Sequence, residues 1–328
     1  MVKFLIVRFS SIGDIVLTTP VVRCLKTQVR DAEVHYLLKK QYEPVMKANP
    51  YIDKICTLDN DFSTTVKKLK KENYHYIIDL HKNIRTLRLK NRMRLLSFTF
   101  DKLNIEKWIM VNFKINKLPD IHIVDRYFKP VSVFDVKNDN KGLDYFLDES
   151  ENVDIAGKHK ELENGYIAFV IGARHNTKQM PVDKIISICG KIKYPLVLIG
   201  GKEDHDKGEL IRNSAPGKIF NYCGKLSINQ SASLVKQSKL VITHDTGMMH
   251  IAAAFKKKVI SIWGNTIPEF GMYPYEPHKK SVIFQVQGLS CRPCTKLGFK
   301  KCPRGHFKCM VDINDSEVAA MANKLFSL

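Results

Sequence analysis

Short apolar runs recur along this chain, and most are followed by residues at helical spacing. The pattern is plainest at Leu240–Pro268, LVITHDTGMMHIAAAFKKKVISIWGNTIP. The run Leu240–Thr243 breaks at a polar cluster. Met249, Ala252 and Ala253 then follow with helical spacing, and a second run, Val259–Trp263, ends in Gly264-Asn265-Thr266. By period this is strand, tight turn, helix and strand, one right-handed βαβ unit. Asp245, Thr246 and Gly247 fall at the strand's carboxyl end, where open α/β sheets bind ligands and a helix start favours an anion. Helix capping by Asp245 or Thr246 is the competing reading.

The same alternation runs through the rest of the chain. Lys3–Arg8, Glu33–Leu38 and Tyr74–Leu80 read as strands. Ile15–Gln28 reads as a helix that Pro20 bends or begins, Gln41–Ala48 as a short helix and Ile121–Phe134 as another. In Lys82–Leu95, basic and apolar residues interleave, which fits either a helix on an anionic bilayer surface or one with an apolar core face and a solvated basic face. A polar, acidic stretch from Val136 to Asn164 reads as a domain linker. Beyond it Tyr166–Ile171, Pro195–Ile199, Lys218–Tyr222, Leu240–Thr243 and Val259–Trp263 read as strands, and Asp315–Phe326 as a last helix. Strand and helix alternating twice around a linker predicts two doubly wound domains facing across a cleft.

The chain's start has too short an apolar run for a secretory signal, and no stretch is long and apolar enough to span a membrane. Cysteine usage favours a reducing cytosol. Charge adds more: the net charge is +20, with eight basic residues and no acidic one between Lys279 and Lys308. That balance points to an acidic partner, whether nucleic acid, anionic lipid or a phosphorylated substrate.

Neither half carries GxGxxG or GxxxxGK[ST], which disfavours a nicotinamide enzyme or a P-loop ATPase. The first strand instead ends in Ser10-Ser11-Ile12-Gly13-Asp14, with Gly13 expected to permit a tight turn. The second domain's first strand ends in Gly172-Ala173-Arg174-His175, followed by Lys178-Gln179-Met180-Pro181. A carboxylate on one wall, with an arginine, a lysine and a helix start on the other, suits proton abstraction from a hydroxyl while a diphosphate departs. Taken singly, Asp14 reads as a cap and Arg174 and Lys178 as surface charges.

Taken together and in order, SSIGD, TKQMP and HDTGMMHIAAA with WGNTIP resemble glycosyltransferase family nine, the lipopolysaccharide heptosyltransferases. DLHKNIRT, with an Asp-x-x-x-Asn pattern, and HIVDRY extend the likeness over essentially the whole chain. The resemblance implies a GT-B fold: an acceptor-binding Rossmann-like domain at 1–150, a nucleotide-sugar-binding one at 165–328, and a last helix returning to the first. It also implies metal-independent, inverting transfer from a nucleotide sugar, typically ADP-L-glycero-D-manno-heptose, to Kdo-lipid A or a heptosylated core. The setting implied is cytoplasmic, peripheral on the inner face of a Gram-negative inner membrane, and an anionic lipid acceptor accounts for the charge without nucleic acid. Two alternatives stand beside it: another nucleotide sugar, or a non-catalytic basic protein that holds nucleotide or nucleic acid on the same fold.

Carried over by motif, Asp14 is the base and Lys178 contacts the donor phosphates. Arg174, Asp245, Thr246, Gly247, Met248 and His250 join the donor site, with Glu203 or Asp204 on the ribose. Arg8, Ser11, Gly13, Asn83, Arg85 and Arg126 face the acceptor. Met180 stands where many members have an aromatic. Cys291, Cys294, Cys302 and Cys309, spaced C-x2-C-x7-C-x6-C, are candidate ligands for a structural zinc, with His306 as a substitute; reduced thiols and disulfides compete with that reading.

Overall fold

The computed structural model describes all 328 residues, Met1 to Leu328. They form two compact units: unit 1 is Met1–Leu103 with Ile121–Asp148, and unit 2 is Asn104–Asp120 with Glu149–Leu328. The division at Asp148 lies inside the expected linker. Residues 104–120, expected in the first domain, belong with unit 2.

Unit 1 contains β1 (Val2–Val7), α1 (Ile12–Val16), α2 (Thr19–Gln28), β2 (Ala32–Lys39), β3 (Lys54–Leu58), α3 (Phe62–Lys70), β4 (Tyr76–Asp79), α4 (Ile84–Met93) and β5 (Leu96–Thr99). The intervening α5 (Asn104–Phe113) belongs to unit 2, and α6 (Ile123–Phe128) returns to unit 1. The sheet is wholly parallel in the order β3-β2-β1-β4-β5. Its central strand β1 is buried from Phe4 to Val7, the continuous apolar run of a strand covered on both faces. Pro20 lies in the first turn of α2, where its missing N–H costs nothing, so it marks a helix start. Gly13 makes no tight turn: it lies buried inside α1, which already begins at Ile12. In α4, Leu89 and Met93 join the core, while Arg85, Arg88 and Arg92 share the opposite side at i, i+3 and i+7 spacing.

Unit 2 continues with β6 (Ile167–Val170), α7 (Val182–Lys191), β7 (Leu196–Ile199), α8 (His205–Asn213), β8 (Ile219–Asn221), α9 (Ile228–Gln237), β9 (Leu240–His244), α10 (Gly247–Ala254), β10 (Lys258–Trp263), β11 (Val282–Gln285), α11 (Lys308–Val311) and α12 (Asp315–Ser327). This sheet too is parallel, in the order β11-β10-β9-β6-β7-β8. The last helix, expected to return to the first domain, is part of unit 2. Val318, Ala322 and Leu325 of α12 enter the same core as Ile185 and Ile188 of α7, and the Tyr194 and Phe326 rings stack at 3.9 Å.

The strand orders locate the candidate sites. In unit 1 the connections leave in opposite directions from β1 and β4; in unit 2 they do so from β6 and β9. Ligands of open α/β sheets bind beyond the carboxyl ends of such strand pairs.

Candidate functional site

In unit 1 the chain leaving β1 is tied to the chain leaving β4. Arg8 Nη1 donates to Leu80 O at 2.5 Å and to the Tyr127 hydroxyl at 3.2 Å, and its Nε donates to Ser10 O at 2.9 Å. Its Nη2 holds Asp14 Oδ1 at 2.6 Å. Asp14 Oδ2 accepts from the Ser11 amide at 3.1 Å and the Ser11 hydroxyl at 2.7 Å. Burial pushes the carboxyl's pKa up, but the Arg8 charge and the Ser11 bonds outweigh it and hold Asp14 at about 2. Asp14 is therefore an ionised carboxylate with its direction set.

A cavity of about 1690 Å³ opens on the same edge of this sheet. Five cations line it, Lys39, Lys40, Arg85, Arg88 and Arg92, and its one carboxylate, Asp59, is bound to Lys68 at 2.9 Å. The loop between β4 and α4 is shaped locally. Buried Asp79 Oδ1 accepts from the amides of His81 and Lys82 at 3.0 and 2.8 Å, and Asn83 Oδ1 caps α4 through the Thr86 amide at 2.9 Å. The Asp-x-x-x-Asn pattern is thus a turn-and-cap device that aims Arg85 and Arg88. Asn83 and Arg85 line the cavity, whereas Arg8, Ser11, Gly13 and Arg126 do not. Arg126 is buried on α6.

In unit 2, Lys178, on the chain leaving β6, meets Asp245, on the chain leaving β9. Lys178 Nζ lies 2.5 Å from Asp245 Oδ2, and the Thr266 hydroxyl donates to the same oxygen at 2.8 Å. Asp245 is thereby occupied and does not cap α10. Thr246 takes the cap position without a side-chain bond to the helix amides, so the amides of the first turn of α10 are left for an anion. Met248 and His250 are buried on α10 and Arg174 is exposed. Of the ribose candidates, Asp204 is buried and accepts from the Gly201 amide at 2.9 Å, while Glu203 remains exposed. Met180 packs into the core, and its amide donates to His244 Nε2 at 3.1 Å. Burial and the Lys207 charge keep His244 neutral, its pKa lowered to about 4.

The loop after β10 is braced by Arg292. Its Nε and Nη2 donate to the carbonyls of Gly264 and Thr266, at 2.6 and 2.8 Å, and Nη2 also reaches Gln285 Oε1 at 2.7 Å. Between the braced residues, Asn265 is 2% exposed and neither atom of its carboxamide has a hydrogen-bond partner. On the other side, the Phe299 amide donates to Thr177 Oγ1 at 2.8 Å, next to Lys178. The cysteine-rich strap 286–309 therefore supports both halves of the Lys178–Asp245 pair.

The strap carries the four candidate zinc ligands, with Cys291, Cys294 and Cys302 half-buried and Cys309 buried. No group of three or more His, Cys, Asp or Glu side chains is gathered to hold a metal ion, and all eight cysteines are free thiols. Burial and neighbouring thiols raise Cys294 to about 11 and Cys309 to about 12, and Cys291 Sγ lies 3.8 Å from His306 Nε2. Arg292 and backbone pairing tie the strap to the loop after β10 and to Thr177.

Residues 63–301 match the family model described as glycosyltransferase family 9 (heptosyltransferase). The chain belongs to glycosyltransferase family 9. It is an enzyme of the heptosyltransferase kind. It is 24% identical to lipopolysaccharide heptosyltransferase 1 of Campylobacter coli over 294 residues, 80% of this chain and 84% of that one. The family 9 glycosyltransferase structure from Veillonella parvula superposes with a TM-score of 0.77 at 20% identity, over 99% of this chain and 97% of that one. The E. coli ADP-heptose lipopolysaccharide heptosyltransferase II structure does so with a TM-score of 0.76 at 18% identity, over 99% and 98%. At these identities the structures establish the shared two-domain fold, and the family 9 assignment rests on the sequence match.

For this family 9 chain, motif reading named Asp14, Lys178 and Asp245 as site candidates, and it did not name Lys39, Lys40, Arg88, Arg92, Thr266 or Asn265, which the structure places in the unit 1 cavity and the loop after β10. A lysine pair at a strand's carboxyl end and the i, i+3, i+7 arginines were readable signals. The Thr266–Asp245 bond and the burial of Asn265 are made by parts distant in the chain and had no local signal.

Proposed function

We propose that this enzyme transfers a heptose, with inversion, from ADP-L-glycero-D-manno-heptose to the inner core of lipopolysaccharide, either Kdo-lipid A or an already heptosylated core. The observation that carries the reading is the Lys178–Asp245–Thr266 cluster beside the uncapped start of α10, a site with the charge and amides a leaving diphosphate requires.

Unit 2 supplies the donor site and unit 1 the base and the acceptor pocket. The acceptor hydroxyl gives its proton to Asp14 as its oxygen bonds to the anomeric carbon. The bond from that carbon to the diphosphate breaks, and ADP departs with the electron pair, its charge met by Lys178 and the α10 amides. The Arg8 bridge keeps Asp14 ionised but makes it a weak base, so proton transfer accompanies bond formation, when the hydroxyl becomes acidic. Glu203 is assigned to the ribose and Asn265 to a hydroxyl of the donor sugar. Lys178 and the helix start do the work a catalytic metal would do on the diphosphate, so no step is assigned to a metal. The five cations of the unit 1 cavity suit an acceptor bearing several carboxylates or phosphates.

A lipid-borne acceptor places the reaction at the cytoplasmic face of the inner membrane, and no helix of the chain is long and apolar enough to cross one. The test is a screen of ADP-, GDP- and UDP-sugars against Kdo-lipid A and heptosylated acceptors, read by product mass. A heptose increment from the ADP donor alone is expected; a product formed only from a UDP- or GDP-sugar overturns the donor assignment.

A further inference from the structure

Helix α5 is inside out for a helix in water. Its 3.6-residue period sets Ile105, Trp108 and Asn112 on one face and Lys107, Met110 and Lys114 on the other. Ile105 is 72% and Trp108 57% exposed, whereas Lys107 is only 8% exposed. Phe113 and Ile115 extend the exposed apolar surface at 60% and 53%, and the Trp108 and Phe113 rings meet edge-on at 5.4 Å. Single exposed apolar residues are ordinary, but four large ones within the stretch from Ile105 to Ile115 mark a docking surface.

The segment is fixed to unit 2 at its far end. Lys114 Nζ donates to Pro293 O at 2.7 Å, and Met110 and Lys114 line a small cavity with Leu289 and Arg292. This joins the apolar segment to the cationic strap, where Lys296, Lys300 and Lys301 are exposed and no carboxylate occurs from Lys279 to Lys308. Within the segment Lys114 and Lys117 are also exposed; Glu106 and Asp120 are its only acids. Indole, phenyl and branched aliphatic groups flanked by lysines are the chemistry of a bilayer interface, where the apolar groups enter the headgroup–acyl boundary and the ammonium groups meet anionic headgroups. α4 also exposes two apolar residues, Ile84 at 73% and Leu87 at 53%, but it commits Leu89 and Met93 to the core and its arginines to the unit 1 cavity.

We propose that α5 and the residues just after it form the surface by which this enzyme docks on an anionic lipid bilayer, with Ile105, Trp108, Phe113 and Ile115 inserted and the strap lysines against the headgroups. The surface deepens the membrane setting proposed above and rests on that reading, but it does not depend on which sugar is moved.

The chain offers its own reporter. It has two tryptophans, and the other, Trp263, is 1% exposed, so a blue shift of emission on adding vesicles reports Trp108. With full-length enzyme, vesicles of phosphatidylethanolamine and phosphatidylglycerol should cosediment the protein and shift its emission. Pure phosphatidylcholine vesicles, or about 0.5 M salt, should weaken both. I105S/F113S/I115S, which keeps the reporter, should bind the anionic vesicles about tenfold or more weakly. Its turnover of an acceptor sugar freed of lipid should match wild type, which separates a docking defect from a failure of the transferase reading. Equal binding by wild type and variant, an unshifted emission, or equal binding to neutral vesicles overturns the proposal. So does a wild-type dimer that the variant dissolves, because the face would then be covered by a second copy.

Discussion

Lys178 Nζ and Asp245 Oδ2, 67 residues apart in sequence, stand 2.5 Å apart where the chains leaving β6 and β9 diverge. The carboxylate holds the lysine at the start of α10, and the Thr266 hydroxyl fixes the carboxylate in turn. A bound diphosphate would compete with Asp245 for the ammonium, and Thr266 would keep Asp245 in place as the lysine turns toward it. Lys178→Ala should therefore lower kcat/KM for the donor by about 10²–10³-fold and weaken ADP binding with it. Calorimetry with ADP is the direct check, and an unchanged affinity would remove Lys178 from the phosphate site.

Asp14 makes the complementary prediction. Asp14→Asn should cut kcat by about 10²–10⁴-fold while ADP affinity survives; near-normal turnover would exclude it as the base. Because Arg8 and Ser11 depress the folded carboxyl to about 2 from an ordinary 3.8, its contribution to stability is present above the ordinary value and is lost as pH falls through about 2. The contribution is about 2 kcal/mol. Replacing Arg8 by Met leaves only the Ser11 bonds to oppose burial and raises the carboxyl, so the acid limb of kcat should move to higher pH than in wild type. A superimposable pH profile would show that Arg8 does not set the state of Asp14.

How far the chain could be read follows the same physics. The central strands β1, β6, β9 and β10 were legible because burial on both faces demands a continuous apolar run. The strands the pattern missed, β3, β5 and β11, are all sheet edges, and Lys54–Leu58 and Leu96–Thr99 are half exposed and mixed in polarity. α5 escaped for the opposite reason: its apolar residues face outward, so it does not follow the core-facing pattern. At the site, SSIGD and HDTG were legible because their residues are contiguous. Arg8 to Leu80, Thr266 to Asp245 and Arg292 to Gly264 are fold-made contacts without a local signature.

His244 links pH to the lysine turn. It is fully buried and neutral, with its ring nitrogen accepting from the Met180 amide two residues after Lys178. Below the ordinary value of 6.5 the unfolded chain takes up a proton that the folded imidazole resists until about 4, so stability should fall as pH drops through that interval. Protonation would also remove the acceptor of the Met180 amide and raise the donor KM. His244→Gln keeps an acceptor and removes the titration, so the fall of Tm from pH 6.5 to 4 should flatten in part; His81, also lowered to about 4 by burial and Arg8, accounts for a remainder. A Tm profile identical to wild type would rule out His244 as the source.

Asn265 offers the sharpest separation of structure from recognition. A buried carboxamide with no partner costs stability, about 1–3 kcal/mol on general grounds, and a fold retains such a group where a ligand satisfies it. Arg292 holds the flanking carbonyls of Gly264 and Thr266, so the loop cannot readily turn the amide toward solvent. Asn265→Ala should then leave Tm unchanged or raise it, leave ADP affinity unchanged, and lower kcat/KM for the sugar donor by about tenfold to a hundredfold. A packing role predicts the opposite signs, with lower Tm and donor kinetics intact. Differential scanning fluorimetry, ADP calorimetry and donor kinetics on one variant distinguish the two. If kcat/KM stays at the wild-type value, the donor sugar does not meet this amide.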